Sequence, residues 1–510
     1  MNRLISMVAL AVCASAGWAE MESATPESQG VDSAAILAFL DAAEQKFDAG
    51  LSHAKTDGGA FHGLVIVRHG KVIAEGSWKP FDTLNETHML YSHSKTFTSS
   101  AIGLLADEGK VDLDERIVEI FSNDVPAQVS ENLRELRIRD LLTMNAGKKD
   151  HLLRDGGNWV RDFLSQDFCR RPGTGFKYDS DATYMLAAIV EKKSGERMMD
   201  YLQRKFFDPL DITSAWTTYS PQGIPCGGWG MNMTTRDLAK FGLLYLQHGR
   251  WNGRYVLSPH WCQLATARHT WSGWRDVGVK ALGEGTDWEQ GYGFQLWRCR
   301  HGAYRADGAD GQYTVVMPEQ DMVVSIHAGL GDMQGELNLI WDYLLPAVQD
   351  KPLPETAATE TLSRRLANLA LPPRSDCPAA TATDRQVGVR LPLRKNARGF
   401  TALQLDPCAA GWELTLVTPA GVQRLPVGRG AWARGTMRID TETYEGLGAY
   451  IGAFTTAASG GLDEAGNLRI RVYLTGTTGS FDFTIDPAGT VKGRFRAMHG
   501  CELKSEGVAE

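Results

Sequence analysis

The chain has 510 residues, of which 43% are apolar and 22% are charged, and its formal net charge is −8 at pH 7. This length is too great for one ordinary domain, and the composition is that of a globular protein. The charge is spread along the chain without a basic block, so a nucleic-acid partner is not expected.

The first 19 residues have the pattern of an export signal. Arg3 gives a positive start, residues 4–16 form an apolar run, and residues 17–19 include small residues for cleavage. The run is too short to span a bilayer with its flanks. It predicts an exported protein, periplasmic or secreted, that begins near Glu20 and has no membrane span. Cys13 leaves a lipoprotein alternative open, although the residue before it is bulky for such a site.

The segments that follow predict a helix and then a hairpin. Residues 33–48 have helical periodicity, and Ser33 stands where a cap is needed. Residues 63–67 and 72–75 read as two strands, and Gly70 supplies the turn between them.

Ser92 and Lys95 stand at the start of a further predicted helix. Apolar residues recur at helical spacing after them and a glycine ends the pattern: Phe97, Ala101, Leu104, Leu105 and Gly109. A hydroxyl and an amine three residues apart share one helical face, where the amine can take the hydroxyl proton. A second Ser-x-x-Lys pattern, Ser52–Lys55, lies beside glycines in a predicted loop, with no helix to hold its side chains together.

The later part of this region predicts helices around another hairpin. The predicted helices cover residues 136–147, 184–193, 238–248 and 333–345, and the strands cover 313–317 and 322–327. Thr234 and Asp237 form a capping box before the third of these helices. Helices at both ends with hairpins between them predict an antiparallel sheet covered by helices.

Residues 25–348 resemble the serine hydrolase family of class C β-lactamases, penicillin-binding proteins and related esterases and amidases. Ser-x-x-Lys is the nucleophile motif of these proteins. Residues 141–144 (LLTM), 227–230 (GGWG) and 235–242 (TRDLAKFG) stand where the family has them. The resemblance implies an α+β sandwich with an all-helical insertion, a cleft between them that holds the active site, and no cofactor.

The family's second motif, Tyr-x-Asn, has an altered counterpart here. Tyr178 takes the place of the tyrosine, and Ser180 replaces the asparagine as a candidate substrate-binding residue. A tyrosine titrates near 10 in model compounds, and we expect Lys95 to favour its phenolate. Packing of Tyr178 on the core is the alternative interpretation.

The third motif, Lys-Thr-Gly, aligns with Ala306, Asp307 and Gly308, so its cation is missing. Gly308 would still allow a close backbone approach, and the resemblance implies that the N–H of Ala309 joins that of Ser92 as an oxyanion hole. The missing cation favours an esterase or amidase over an efficient β-lactamase or peptidoglycan peptidase. Arg305 is one residue out of register, and its pairing with Asp307 at the surface is an equally good interpretation.

The resemblance therefore predicts a serine hydrolase that cleaves a small-molecule ester or amide. Lys95, kept neutral by desolvation, would activate Ser92, and Tyr178 would protonate the leaving group. A sensor or binding protein on the same scaffold, without turnover, and a weak β-lactamase or D-peptidase are the alternatives. The natural substrate and the oligomeric state stay open.

Several other residues attract attention without a clear role. Trp271, Trp274 and Trp288 could line a pocket or simply pack in a long loop. His93 should point away from Ser92's helical face, and His301 and His327 read as strand-end residues. The cysteine and histidine spacing does not resemble a zinc site, so no metal is expected.

The character of the chain changes after residue 348. Residues 349–375 read as a proline-containing linker with a short helix near 362–369, which leaves residues 20–348 as the hydrolase domain. Residues 376–510 predict a small all-β domain, with strands at 412–417, 436–439, 468–474, 480–485 and 491–495. Cys501 could form a disulfide with Cys377 or Cys408.

Overall fold

The structure is a computed structural model that describes residues 21–46, 59–149, 157–272, 285–377, 387–396, 398–439, 452–496 and 501–504. The predicted leader, the second Ser-x-x-Lys pattern at Ser52–Lys55, and Trp274 lie outside the described residues.

An antiparallel sheet forms the centre of the first domain. Its six described strands run in the order β2-β1-β10-β9-β8-β7. The strands of this domain, including four short ones outside the sheet, are β1 (Phe61–Arg68), β2 (Lys71–Ser77), β3 (His88–Met89), β4 (Asn232–Met233), β5 (Arg250–Trp251), β6 (Arg254–Tyr255), β7 (Trp297–Arg298), β8 (Tyr304–Gly308), β9 (Gln312–Met317) and β10 (Met322–Ala328).

The sheet is buried on both faces, and β1 shows why. Successive side chains of a strand point to opposite faces. Leu64 and Ile66 therefore enter one apolar core, and Val65 and Val67 enter the other. Every residue of β1 is buried. This arrangement requires helices on both sides of the sheet.

The helices form two unequal layers. In one core, α1, α11 and α12 pack on one face of the sheet. In the other core, the helical region from α2 to α10 packs on the opposite face. Their bounds are α1 (Ser33–Lys46), α2 (Ser94–Asp107), α3 (Ile117–Ile120), α4 (Glu131–Glu135), α5 (Ile138–Leu142), α6 (Trp159–Leu164), α7 (Ser180–Ser194), α8 (Met198–Leu202), α9 (Thr235–Leu246), α10 (Pro259–Thr266), α11 (Met333–Leu339) and α12 (Ala357–Ala367). Within the described ranges, no helix is both long and apolar enough to cross a membrane.

Local sequence signals set several of the helix ends. Thr234 caps α9 by accepting a hydrogen bond from the N–H of Asp237 at 3.2 Å, as the capping box predicts. The helix predicted at 136–147 is much shorter, since Met144 has φ +58° and leaves the helical conformation. The helix predicted at 333–345 is α11 followed by a π-helical turn and a 3₁₀ turn.

The second domain is a strongly curved β-sheet. Its strands are β11 (Arg390–Pro392), β12 (Ala402–Cys408), β13 (Gly411–Thr418), β14 (Gly421–Arg429), β15 (Ala433–Ile439), β16 (Gly452–Leu462), β17 (Leu468–Leu474), β18 (Ser480–Ile485), β19 (Val491–Arg496) and β20 (Cys501–Lys504). The pairing of β14 with β16 is parallel. The first and last strands of the sheet, β11 and β20, come close together, because the N–H of Arg394, just after β11, donates to the carbonyl of Lys504 in β20 at 2.8 Å. The domain is a near-barrel, with more strands than the sequence predicts.

The proposed disulfide from Cys501 to Cys377 or Cys408 is wrong, because both of those thiols are free. Cys408 ends β12, the backbone N–H of Cys377 donates to Leu462 at the end of β16, and the backbone of Cys501 pairs with Phe495 of β19, so the three residues belong to different strand pairs.

The predicted linker is docked on the first domain. It contains α12, and the backbone of Lys79 then donates to Leu369 at 3.0 Å and accepts from Leu371 at 2.7 Å. The two domains are therefore joined by a packed segment.

Candidate active site

Ser92 lies in a tight turn between a strand and a buried helix. Residues Tyr91–His93 form a 3₁₀ turn after β3, and α2 begins at Ser94. Ser92 thus stands just before the helix, whereas the sequence places it in the first helical turn. Tyr91 has φ +47°, a left-handed conformation that is rare for a bulky residue and recurs at functional sites.

Lys95 is buried, with 1% of its surface exposed, and its amino group contacts oxygens of Ser92, Ser180 and Gly228. Its Nζ lies 2.9 Å from Ser92 Oγ, 3.0 Å from Ser180 Oγ and 2.6 Å from the carbonyl oxygen of Gly228. A carbonyl oxygen can only accept a hydrogen bond, whereas the two hydroxyls can also donate. Once Lys95 loses a proton, its lone pair can therefore face Ser92 while its N–H groups keep the other two partners.

Tyr178 packs against the same lysine. Lys95 Nζ lies over the tyrosine ring, 4.7 Å from the ring centroid, and the ring stacks on Trp297 at 5.6 Å. Burial raises the pKa of the Tyr178 phenol above its usual range, and the Asp307 carboxylate raises that pKa further. A hydrogen bond with Ser92 and the charge of Arg305 oppose this rise only in part. The expectation that Lys95 favours a Tyr178 phenolate is wrong; the phenol stays protonated.

Ser180 is the first residue of α7, and a buried ion cluster fixes this end of the helix. Asp179 caps α7 by accepting from the N–H of Asp181 at 2.9 Å. Lys148 Nζ lies 2.9 Å from Asp181 Oδ2 and 3.3 Å from Asp179 Oδ2. Sequence reasoning missed this cluster, although the acidic residues on either side of Ser180 were a signal. It positions Tyr178 and Ser180 next to Lys95.

Gly308 brings β8 against the chain that leads to Ser92. A Cβ atom at this position would lie 2.1 Å from the carbonyl oxygen of Leu90, so no other residue fits. The close approach predicted for Gly308 is therefore made to the nucleophile segment itself. Ala309 follows at the hairpin between β8 and β9, and its role in an oxyanion hole stays a prediction.

Arg305 and Asp307 form an ion pair, but not at the surface. The Arg305 guanidinium contacts Asp307 Oδ2 at 2.8 Å, and the two side chains are 0% and 8% exposed. Arg305 also donates to the carbonyl of Asp287 at 2.8 Å and lies 4.5 Å from the ring of Trp288. The pairing predicted from the sequence is correct, its exposed location is wrong, and the cation of Arg305 is already neutralised.

Aromatic rings also pack around Tyr178. Tyr178, Phe176 and Trp288 pack on a small apolar cluster that contains Tyr292 and Trp297. Trp288 is therefore part of this wall. Trp271 is 40% exposed and packs on Arg268 instead.

The histidines near the site are core residues. His93 is buried between Phe97 and Phe241, and neither ring nitrogen has a hydrogen-bond partner among the described residues. Burial lowers the pKa of His93 to about 3, so it is a neutral packing residue. His327 is also buried, and its ring bonds to Gln312 at 3.0 Å. In the described part of the chain, no group of three or more His, Cys, Asp or Glu could hold a metal ion.

The family model named Beta-lactamase matches residues 14–341, so the chain belongs to the β-lactamase family of serine hydrolases. This confirms the predicted family and its fold.

Particular relatives agree with this membership. The 6-aminohexanoate-dimer hydrolase of Paenarthrobacter ureafaciens is 25% identical over 326 residues, which are 59% of this chain and 79% of that protein. Penicillin-binding protein 4 of Amycolatopsis lactamdurans is 24% identical over 387 residues, 67% of this chain and 92% of that protein. A Bacillus anthracis structure provisionally named a 6-aminohexanoate-dimer hydrolase is 18% identical to this chain, with a TM-score of 0.50. The match covers 66% of this chain and 89% of the Bacillus anthracis chain, and at this identity it supports the fold alone.

Proposed function

We propose that this protein is an exported serine hydrolase that cleaves a small-molecule ester or amide through an acyl-enzyme on Ser92. The observation that supports this most directly is the 2.9 Å contact between Lys95 Nζ and Ser92 Oγ, beside the ring of Tyr178. A weak acid, a base within hydrogen-bond reach and a buried phenol are the groups that acyl transfer needs.

The proposed reaction begins when neutral Lys95 takes the Ser92 proton and Oγ bonds to the substrate carbonyl carbon. The oxyanion is received by the backbone N–H groups of Ser92 and Ala309. Tyr178 gives its proton to the leaving oxygen or nitrogen as the carbonyl bond to it breaks, and Lys95 restores that proton to Tyr178. Water then attacks the acyl carbon: Tyr178 takes the water proton as it passes its own proton to neutral Lys95, and Lys95 returns a proton to Ser92 Oγ as the bond from Oγ to the acyl carbon breaks.

The missing Lys-Thr-Gly cation favours a substrate without a carboxylate at that position. Arg305 stands nearby, but its charge is matched by Asp307 inside the protein. The relative named a 6-aminohexanoate-dimer hydrolase supports the inclusion of amides among the candidate substrates. An efficient β-lactamase is not the activity that we propose.

Labelling with a fluorophosphonate, followed by a panel of p-nitrophenyl esters, short amides and a chromogenic cephalosporin, tests the proposal. Wild-type protein should be labelled and should turn over an ester or amide, and S92A should lose on the order of 10⁶ in turnover. S165A, at an exposed serine that ends α6, is the matched control and should keep wild-type rates. A stable acyl adduct without turnover would instead identify the sensor alternative, and rapid cephalosporin cleavage would identify a β-lactamase.

Export is a separate part of the proposal, supported by the pattern of the first 19 residues. N-terminal sequencing of the protein from a secreted or periplasmic fraction should give a chain that begins near Glu20. Acylation at Cys13 would support the lipoprotein alternative.

A further inference from the structure

A hairpin of the second domain reaches the chain on both sides of the candidate active site. The turn between β17 and β18 covers residues 475–479. The N–H of Met89 donates to the carbonyl of Gly476 at 2.9 Å. Thr478 Oγ1 lies 2.8 Å from the phenol oxygen of Tyr91 and donates to Asp310 Oδ2 at 2.8 Å. One hydroxyl group therefore contacts the residue before Ser92 and the residue after Ala309.

The hydrogen bonds have a defined direction. The Thr478 hydroxyl has one proton, which it donates to Asp310, so its lone pair accepts the proton of Tyr91. The result is a chain from Tyr91 through Thr478 to Asp310. Removal of the central hydroxyl would break both links at once.

Several hydrogen bonds hold the turn that carries Thr478. Thr477 Oγ1 donates to the carbonyl of Leu474 at 3.0 Å and accepts from the N–H of Gly479 at 2.9 Å. The N–H of Thr475 bonds to the neighbouring strand at the carbonyl of Thr455, at 3.0 Å. Thr475 and Thr477 are both buried. A turn that is fixed in this way can hold its partners in place.

Apolar packing joins the same segments. The side chains of Met89 and Tyr91 belong to the apolar core of the second domain, and Ala309 packs against it. Tyr91 and Asp310 both have left-handed backbones, with φ +47° and +60°. Aspartate adopts this conformation readily in a hairpin turn, whereas a bulky residue such as Tyr91 keeps it only when its surroundings enforce it. The second domain contributes to the surroundings of Tyr91 through its apolar core and through Thr478.

We propose that Thr478 is a positioning residue that holds the two backbone segments of the oxyanion hole, at Ser92 and Ala309, in register. The second domain then helps to form the active site, because its hairpin positions both segments. The inference rests on the proposed function, since it assigns a role in acylation of Ser92. Displacement of an oxyanion donor weakens the transition state more than it weakens substrate binding.

The test compares T478V, which keeps the side-chain shape and loses the hydroxyl, with T478S, which keeps the hydroxyl. We expect T478V to lower the rate of Ser92 labelling by a fluorophosphonate, and kcat on a p-nitrophenyl ester, by about 10- to 100-fold, with KM changed by less than about threefold. T478S should retain most of the wild-type rate. T484V, at a half-buried threonine further along β18, is the matched control and should leave both rates unchanged.

Y91F provides a second, independent route in case T478V folds poorly, which its melting temperature reports. Y91F should lower the labelling rate, and the double variant Y91F/T478V should be no slower than T478V, since both changes break one chain. Wild-type rates in T478V, or an equal loss in T478S, would overturn the inference and leave the proposed function intact. Absence of labelling in the wild-type protein, or labelling of S92A, would instead overturn the proposed function and this inference with it.

Discussion

Tyr178 is a buried phenol next to a buried amine, and its protonation state decides which part of the reaction it can serve. Burial and Asp307 raise its pKa above the usual range, so the phenol carries its proton at all ordinary pH values. A protonated phenol can donate to a leaving group but cannot act as a base at rest. Its contribution should therefore depend on whether the leaving group needs a proton.

Y178F should accordingly impair amide cleavage more than cleavage of an activated ester. We expect kcat for a short amide to fall by about 10²- to 10⁴-fold, as is typical for loss of a general acid, and kcat for a p-nitrophenyl ester to fall much less. Steady-state kinetics on the two substrates measure the difference. Y292F, at a neighbouring buried ring, is the control. Equal losses on both substrates would contradict the assignment of Tyr178 as the acid.

Glu336 is a buried carboxyl that the proposed mechanism does not use. Neither of its carboxyl oxygens has a hydrogen-bond partner among the described residues, and its Oε2 lies against Gly311. Burial raises the pKa of the Glu336 carboxyl well above 4.5, and Asp307 and Asp332 raise it further. The folded protein therefore keeps a proton that the unfolded chain loses near pH 4.5.

This difference makes Glu336 a source of instability at higher pH. The stability that protonated Glu336 contributes to the folded state is fully present below pH 4.5. It is lost as the pH rises through the raised pKa of the folded state. E336Q cannot titrate, so its advantage in free energy of unfolding over wild type should grow above pH 4.5 by about 1.4 kcal/mol per pH unit until Glu336 ionises. Urea unfolding at several pH values measures it, with E360Q, at an exposed glutamate, as control. A difference independent of pH would refute the prediction.

At the scale of single elements, the first turn of α7 depends on a lysine from a distant loop. Lys148 is 1% exposed and lies between Asp179 and Asp181, which are also buried. Burial raises the pKa of Asp179, whereas the charge of Lys148 lowers it. Without the lysine, two buried carboxyl groups would face each other without its positive charge between them.

K148M should therefore destabilise the protein and disturb the element that carries Tyr178 and Ser180. Loss of one member of a buried ion cluster costs about 3–5 kcal/mol in free energy of unfolding. Urea unfolding measures this loss, and K149M, at the exposed neighbouring lysine, should change stability by less than about 0.5 kcal/mol. Adding D179N to K148M should recover part of the loss, since it removes one of the two carboxyl charges that then face each other; no recovery would count against the electrostatic explanation.

The elements also show what a sequence can predict. Strands β17 and β18 match the predicted ranges 468–474 and 480–485, because their alternation of apolar and polar residues is a local pattern. The Ser92–Lys95 contact also has a local signature, since both residues lie within one turn. By contrast, β16 (Gly452–Leu462) is rich in glycine, alanine and threonine and has no strand signature of its own. It is a strand because β15 and β17 pair with it on both sides.

The contacts that complete the candidate site join residues far apart in the chain. Lys148 and Asp181 are 33 positions apart, and Tyr91 and Thr478 are 387 positions apart. Neither pair leaves a periodic or spacing signal, because the partners meet only through the tertiary packing of separate elements. The sequence also does not specify the burial of Tyr178, which raises the pKa of its phenol more than the neighbouring charges change it.

At the scale of the whole molecule, the two domains share their cores. Tyr473 of the second domain belongs to the apolar core between the sheet and α1, where its ring lies 5.1 Å from Phe81. Trp432 packs on Tyr473 at 5.3 Å and donates from its indole N–H to the carbonyl of Leu371 at 2.9 Å. Conversely, the side chain of Tyr91 of the first domain packs in the apolar core of the second domain. Neither domain can unfold without exposing apolar surface of the other.

We therefore expect the two domains to unfold together, in one calorimetric transition, with ester hydrolysis lost in the same temperature range. W432A should lower the temperature of that single transition, by about 2 °C for a loss of about 2 kcal/mol in a chain of this size. W271A, at a tryptophan that is 40% exposed and packs on Arg268, is the control and should move the transition much less. Two separate transitions, with hydrolysis following only one of them, would show that the domains are independent. Hydrolysis that persisted after the second domain had melted would also remove the basis for a role of Thr478, because the hairpin that carries it could not then be holding Tyr91.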